Sequence, residues 1–176
     1  EDGKAVVSRI AGTQTFPSSI MLVAAMNPCP CGFYGHPTKE CTCTQNAVHK
    51  YLNRISGPML DRLDLHVEVP PVDYSALSSK ASEETSAEIK ARVNKARKIQ
   101  QERYKGTGIS CNARLTPDLI KKYCILTEDA SKYLELSFER LGMSARAYDR
   151  ILKVARTIAD LDASEIIEKN HIFSAI

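Results

Sequence analysis

A chain of 176 residues that is 43% hydrophobic is long enough to bury one ordinary core or two small ones. Its net charge of +3 is too small to mark a nucleic-acid binder by total alone, and no apolar run approaches the roughly 20 residues that cross a bilayer. The opening "EDGKAVVSRI" lacks the basic and apolar regions of a signal peptide, so a cytoplasmic location is expected, and there six reduced cysteines disfavour a disulfide framework.

Residues 4–16, "KAVVSRIAGTQTF", carry β-branched side chains on both sides of Ala11-Gly12, a pair able to turn the chain, which predicts a β-hairpin. Ile20 to Met26 is a continuous apolar run too short for a typical helix and predicts a strand buried on both faces, as in a parallel sheet. A cysteine-bearing loop runs to Thr44, and a polar helix follows that ends near Ile55. "SGPMLDRL" predicts a short helix with Ser56 as cap and Pro58 near its first positions. In "DLHVEVPP", Leu65, Val67 and Val69 alternate with His66 and Glu68, predicting a strand with one polar face, stopped by two prolines.

From Val72 to about Ser86 the sequence turns to Ser, Ala and Glu, the composition of a linker. The expected organisation is therefore residues 1–72, a linker over 73–86, and a helical part over 87–176. "SAEIKARVNKARKIQQERY" predicts one long basic helix, whose Lys90, Arg92, Lys95, Arg97, Lys98 and Arg103 read as a solvated face balanced by acidic neighbours. "LTPDLIKKYCIL" holds a short helix with Thr116 as cap and Pro117 at its first position, and "TEDASKYLELSFERLG" has a Thr cap, an acidic first turn and a stop at Gly142. In "SARAYDRILKVARTIADL", Tyr148, Ile151, Leu152, Ala155 and Ile158 share an apolar face at 100° per residue, with Arg146, Arg150 and Lys153 opposite. A last helix is expected from Glu165 to the end.

Cys29 and Cys31, then Cys41 and Cys43, form two CxC pairs separated by nine residues. Pro30 biases Cys29 toward an extended backbone, in which residues i and i+2 point the same way. Two such pairs supply the four thiolates of a tetrahedral metal, with zinc the best match, and His36, His49 or solvent could replace one of them. The usual zinc knuckle has two or more intervening residues, so the spacing leaves other readings open: four reduced thiols without metal, or an iron–sulfur or redox pair. A four-thiolate zinc would brace a loop rather than catalyse.

Several segments, taken in order, resemble a known family. "MLVAAMNP" is similar to the sensor-1 strand of AAA+ ATPases, with Asn27 at the strand's carboxyl end. "SGPMLDRLDL" resembles the segment of the magnesium chelatase and replicative helicase branch that carries the arginine finger, which falls on Arg62. "MSARAYDRILKVARTIADL" resembles that branch's sensor-2 helix, with its arginine at Arg146. The likeness is nearest to bacterial magnesium chelatase-like proteins, including a competence-associated DNA helicase, which share the "NPCPCG…CxC" insertion.

The resemblance implies an α/β fold class: a partial AAA+ nucleotide-binding sheet, made of the hairpin, the sensor-1 strand and the following strand, with a carboxyl-terminal all-helical lid domain. It also implies that Asn27 orients water, Arg62 reaches a neighbouring subunit's nucleotide and Arg146 contacts phosphates from the lid. Arg9, near the hairpin tip, would hold a nucleic-acid backbone. ATP and magnesium are the implied cofactors of the full-length protein, and a ring of copies, expected to be a hexamer, with DNA are its implied partners, in helicase or branch-migration work.

No G-x-x-x-x-G-K-[ST] loop occurs among the eight glycines, and no apolar strand ends in paired acids to hold magnesium. The sequence also starts without Met and stops within a helical pattern, "NHIFSAI", so a carboxyl-terminal fragment of a larger protein, inactive alone, is expected. Two other functions compete: the motor subunit of a metal chelatase, and a stand-alone zinc-stabilised module that binds nucleic acid.

Overall fold

The computed structural model describes residues 3–72 and 84–176. Two compact units divide the chain, one through Ile55 and the other from Ser56. The expected linker falls largely on residues 73–83, outside the described residues.

In the first unit, strands β1 (Lys4–Arg9) and β2 (Gly12–Pro17) form an antiparallel hairpin in the register Lys4↔Pro17 to Arg9↔Gly12. The turn is Ile10-Ala11, one residue earlier than expected, and Gly12 opens the return strand at φ +137°, backbone that other residues rarely adopt. Ser8 and Thr13 join their hydroxyls across the strands at 2.9 Å. Helix α1 (Gln45–Leu52) starts where the Thr44 hydroxyl accepts the Ala47 N–H at 3.2 Å, and it buries Val48.

Two expected strands are not strands. Ile20 to Met26 and Leu65 to Val69 run without a ladder partner, and their apolar side chains are exposed: Met21 is 88% and Val23 81% accessible, Val67 79% and Val69 81%. The physical reason is that a strand belongs to a pair. Its N–H and C=O groups need a neighbour, and among the described residues the hairpin is the whole of the sheet. The observed class is a small antiparallel sheet with a helical carboxyl-terminal part.

The second unit begins with α2 (Gly57–Leu60), capped by Ser56, whose hydroxyl accepts from Met59 N–H at 3.3 Å. Helix α3 (Ser86–Arg103) opens on a reciprocal capping box: Glu88 takes the Thr85 N–H at 2.7 Å and the Thr85 hydroxyl takes the Glu88 N–H at 3.3 Å. The Thr85 N–H, and the Thr85 hydroxyl that donates to Glu88 Oε2 at 2.8 Å, favour the ionised form and hold the Glu88 carboxyl below its ordinary value. A 3-10 turn (Asn112–Arg114) leads to α4 (Pro117–Tyr123), α5 (Glu128–Leu141) and α6 (Ala145–Leu161). Gly142 stops α5 in the left-handed region at φ +58°, and the Met143 N–H returns to Phe138 O at 3.1 Å.

The last helix, α7 (Lys169–Ala175), begins later than expected because the backbone of Ile167 is committed elsewhere. Its N–H donates to Ile125 O at 2.8 Å and its carbonyl accepts from Thr127 N–H at 3.0 Å, forming a parallel bridge with Leu126.

Helix α6 is the axis of this unit and packs on α3, the 3-10 turn, α4 and α7. Ile151, Leu152, Ala155 and Ala159 meet Leu115, Ile120, Ala130, Leu134, Ile167 and Ile172 in one core. Burial of this kind contributes about 25 cal/mol per Å² of apolar surface. The buried face also includes two charged residues that the periodicity did not single out, Arg156 and Asp160. Asp160 accepts from Arg103 Nη1 and Asn112 Nδ2 at 2.9 Å each, from Arg156 Nε at 3.1 Å and from Gln100 Nε2 at 3.3 Å. Arg156 spends its remaining donors on the carbonyls of Ser164 and Glu165.

Removing one member of this network leaves buried charge unpaired. Asp160→Ala is expected to lower stability by about 3–5 kcal/mol in denaturant unfolding. Arg92→Ala, which breaks an exposed pair with Glu84, is expected to leave the transition unmoved. Equal effects of the two would refute this assignment.

Candidate functional site

The loop after Asn27 is organised around sulfur. Gly32 N–H donates to Cys29 O at 3.1 Å, with Gly32 at φ +82°, so Cys29 to Gly32 is a tight turn rather than the expected extended run. That turn sets the Cys29 and Cys31 sulfurs 3.3 Å apart. The chain then brings Cys41 to 3.7 Å from Cys29 and 3.5 Å from Cys31, and Cys43 completes a group whose sulfurs all lie within 4.8 Å of one another.

A tetrahedron with metal–sulfur bonds of about 2.3 Å has sulfur–sulfur edges of about 3.8 Å. The four cysteines therefore fit a thiophilic cation such as zinc in ligand number, ligand type and spacing. The histidines named with them are engaged otherwise. His36 Nδ1 accepts the N–H groups of Thr38 and Lys39 at 3.2 and 3.1 Å, and His49 Nδ1 lies 3.0 Å from the Asn53 amide.

Electrostatics divides the four thiols. The backbone N–H of Phe33 stabilises the Cys31 thiolate, with help from Cys29 and the Thr42 backbone, and holds its pKa down at about 5. At Cys29, burial and Cys31 oppose ionisation, but the Tyr34 N–H at 3.3 Å, Cys41 and the Phe33 backbone outweigh them and lower the pKa. At Cys41 the Cys43 backbone acts downward, yet desolvation and the Cys31 and Cys29 sulfurs push the group up to about 12. Cys43 is raised in the same way. Four negative charges at such distances require a cation between them, since each ionised sulfur opposes ionisation of its neighbours.

The remaining residues fall as follows. Arg9 is exposed at the end of β1, flanking the hairpin turn, and Asn27 is exposed two residues before the buried Cys29. In the second unit Arg62 is exposed just beyond α2, and its Nη1 donates to Pro58 O at 2.8 Å. Arg146, in the first turn of α6, pairs with the carboxylate of Asp61 at 3.0 Å. Arg62 and Arg146 thus meet the same short segment. The sequence places Arg150 only opposite the apolar face of this helix. It donates from Nη1 to both Asp61 O and Leu63 O at 2.8 Å. The signal in the sequence was its position one turn after Arg146, which puts both cations on one side of the helix.

Comparison with known proteins gives a consistent result. Residues 1–77 match the family described as magnesium chelatase, subunit ChlI, and residues 83–176 match the family described as magnesium chelatase, subunit ChlI C-terminal. Over the whole chain, the sequence is 43% identical to the uncharacterized protein YifB of Salmonella typhimurium and 42% identical to the competence protein ComM of Haemophilus influenzae. YifB of Escherichia coli is likewise 42% identical over the whole chain. The chain spans about a third of the length of these curated relatives, 34% in each case.

In metal-free protein at neutral pH, Cys31 should react with iodoacetamide before Cys41, because the thiolate is the nucleophile. Cys124, which burial pushes up to about 11, should stay unmodified. Added zinc should protect all four loop cysteines at one equivalent per chain. Peptide mass mapping reads this, and labelling in which Cys41 leads Cys31 would contradict the charge assignment.

Proposed function

The chain belongs to the magnesium chelatase family, and from that premise we propose that it forms the sensor, arginine-finger and lid portion of an AAA+ ATPase motor that works as a ring on DNA. The observation that carries this reading is the meeting of Arg62 and Arg146, the two arginines that the family's motif order singles out, at the segment around Asp61. Cations on exposed side chains suit groups that must transfer to a phosphate.

In this reading residues 1–72 complete the nucleotide-binding α/β core, 73–86 link, and 87–176 form the lid. The apolar runs at 20–26 and 65–69 are exposed and without ladder partners, surfaces suited to burial in a larger sheet, which supports that division. Asn27 orients the attacking water, its amide donating one hydrogen bond and accepting another. Arg62 leaves Pro58 O and neutralises charge that develops on the transferred phosphoryl of a neighbouring subunit's nucleotide. Arg146 exchanges Asp61 for the phosphates of its own.

Magnesium, bound with ATP, supplies charge neutralisation across the phosphates, and nothing in the 176 residues is assigned to hold it. Cys29, Cys31, Cys41 and Cys43 would hold zinc, which would brace the loop that begins two residues after Asn27. Arg9 meets a phosphate backbone at the hairpin tip. That the relative ComM is a competence protein supports DNA as the substrate. The subunit named in the family description keeps a second reading in view, a chelatase motor acting on a porphyrin.

This chain alone should show no magnesium-dependent ATP turnover. In the full-length protein, ATP hydrolysis should rise with DNA and not respond to porphyrin, and Arg62→Ala should lower kcat by about 10³-fold or more, as loss of an arginine finger does. Stimulation by porphyrin instead of DNA would favour the chelatase. An Arg62→Ala enzyme of full activity would overturn the assignment of the finger.

A further inference from the structure

The cation that does most to fix the Arg62 segment is Arg150. Helix α2 ends at Leu60, and the turn beyond it continues through Arg62 N–H to Met59 O at 3.1 Å and Leu63 N–H to Leu60 O at 3.0 Å. The carbonyls of Asp61 and Leu63 follow that end, where carbonyl groups lack helical partners. Both accept from the single Nη1 of Arg150, at 2.8 Å each. They are the carbonyls on either side of Arg62. A guanidinium there meets the negative end of the turn and pins the backbone both before and after the residue.

Arg146 adds one further bond from the same helix, to the side chain of Asp61. Its role is different, because it engages a side chain that any competing anion can replace, whereas Arg150 engages main chain. Arg150 is also half-buried where Arg146 is exposed.

We propose that Arg150 is a positioning residue for Arg62: by fixing the Asp61 and Leu63 carbonyls to α6, it sets the direction in which Arg62 is presented and ties that direction to the helix that carries Arg146. The catalytic half of this inference rests on the ATPase reading given above. The structural half, that Arg150 restrains the backbone on both sides of Arg62, does not. A displacement of about 1 Å in a catalytic group can cost about 100-fold in rate, so a restraint of this kind is large enough to measure.

The test is a double-mutant cycle in the full-length protein, with hydrogen exchange as a second readout. Arg150→Gln should speed amide exchange in the peptide covering residues 57–65, lower kcat by about 10- to 100-fold and leave KM for ATP nearly unchanged. In an Arg62→Ala background the same substitution should change kcat less than about twofold, since no finger remains to misdirect. Arg150→Lys, which keeps the charge on a different head group, should fall between the two and serves if the Gln variant folds poorly. Losses that add in the double mutant, or exchange that Arg150→Gln leaves unaltered, would overturn the inference. Faster exchange combined with an unimpaired Arg62→Ala enzyme would retain the restraint and overturn the assignment of Arg62 as the finger, with the catalytic consequence drawn from it.

Discussion

Asp160 sits almost wholly buried near the end of α6, and a lone carboxylate in that position would be untenable. It is stable there because Arg103 from α3, Arg156 from its own helix, Asn112 from the 3-10 turn and Gln100 all converge on it. The consequence is architectural. Hydrogen bonds have directions that apolar packing lacks, so this network fixes how α3 and the 3-10 turn lie against α6, while Arg156 holds the carbonyls of the segment leading to α7. Tyr104 extends the set by donating to Asn112 Oδ1 at 2.5 Å, and among the described residues no buried side-chain polar atom lacks a partner.

With α6 fixed in this way, its amino-terminal turns become a platform. Arg146 and Arg150 project from them onto the segment around Arg62, a stretch that owes little to packing, because α2 buries no residue of its own. The second unit therefore works from inside outward: a charged core orients a helix, and the helix orients an exposed cation. The cysteine loop in the first unit solves a similar problem by other means. It has little apolar side chain to bury, and four sulfurs at tetrahedral spacing stand where a core would be.

Much of this was legible in the sequence. Ser56 and Thr127, read as caps, do cap their helices, since a hydroxyl accepting a free N–H is a local interaction that needs only the next few residues, whereas Thr116, read the same way, makes no side-chain cap bond. The cysteine spacing predicted one cluster, though the backbone achieves it through a turn at Gly32 and not through the extended run inferred from Pro30. The strands at 20–26 and 65–69 were misread for an instructive reason. An apolar run reports that a surface is suited to burial, and says nothing of which neighbour completes its ladder.

What the sequence by itself determined is the set of short-range choices: hairpin, caps, helix stops, the face of α6 rich in aliphatic side chains, and the family to which the motif order points. What only the tertiary structure decided is the use of long polar side chains. Arg150, Arg156 and Asp160 stand among many charged residues in a chain where 26% are charged, and periodicity cannot tell a solvated guanidinium from a buried one. For Arg150 and Asp160 the difference lies in distant partners, the Asp61 and Leu63 carbonyls for the one and the Arg103, Asn112 and Gln100 donors for the other, while Arg156 draws on Asp160, Ser164 and Glu165 close by in the chain. The distant partners are set by how the helices pack, which local sequence does not encode.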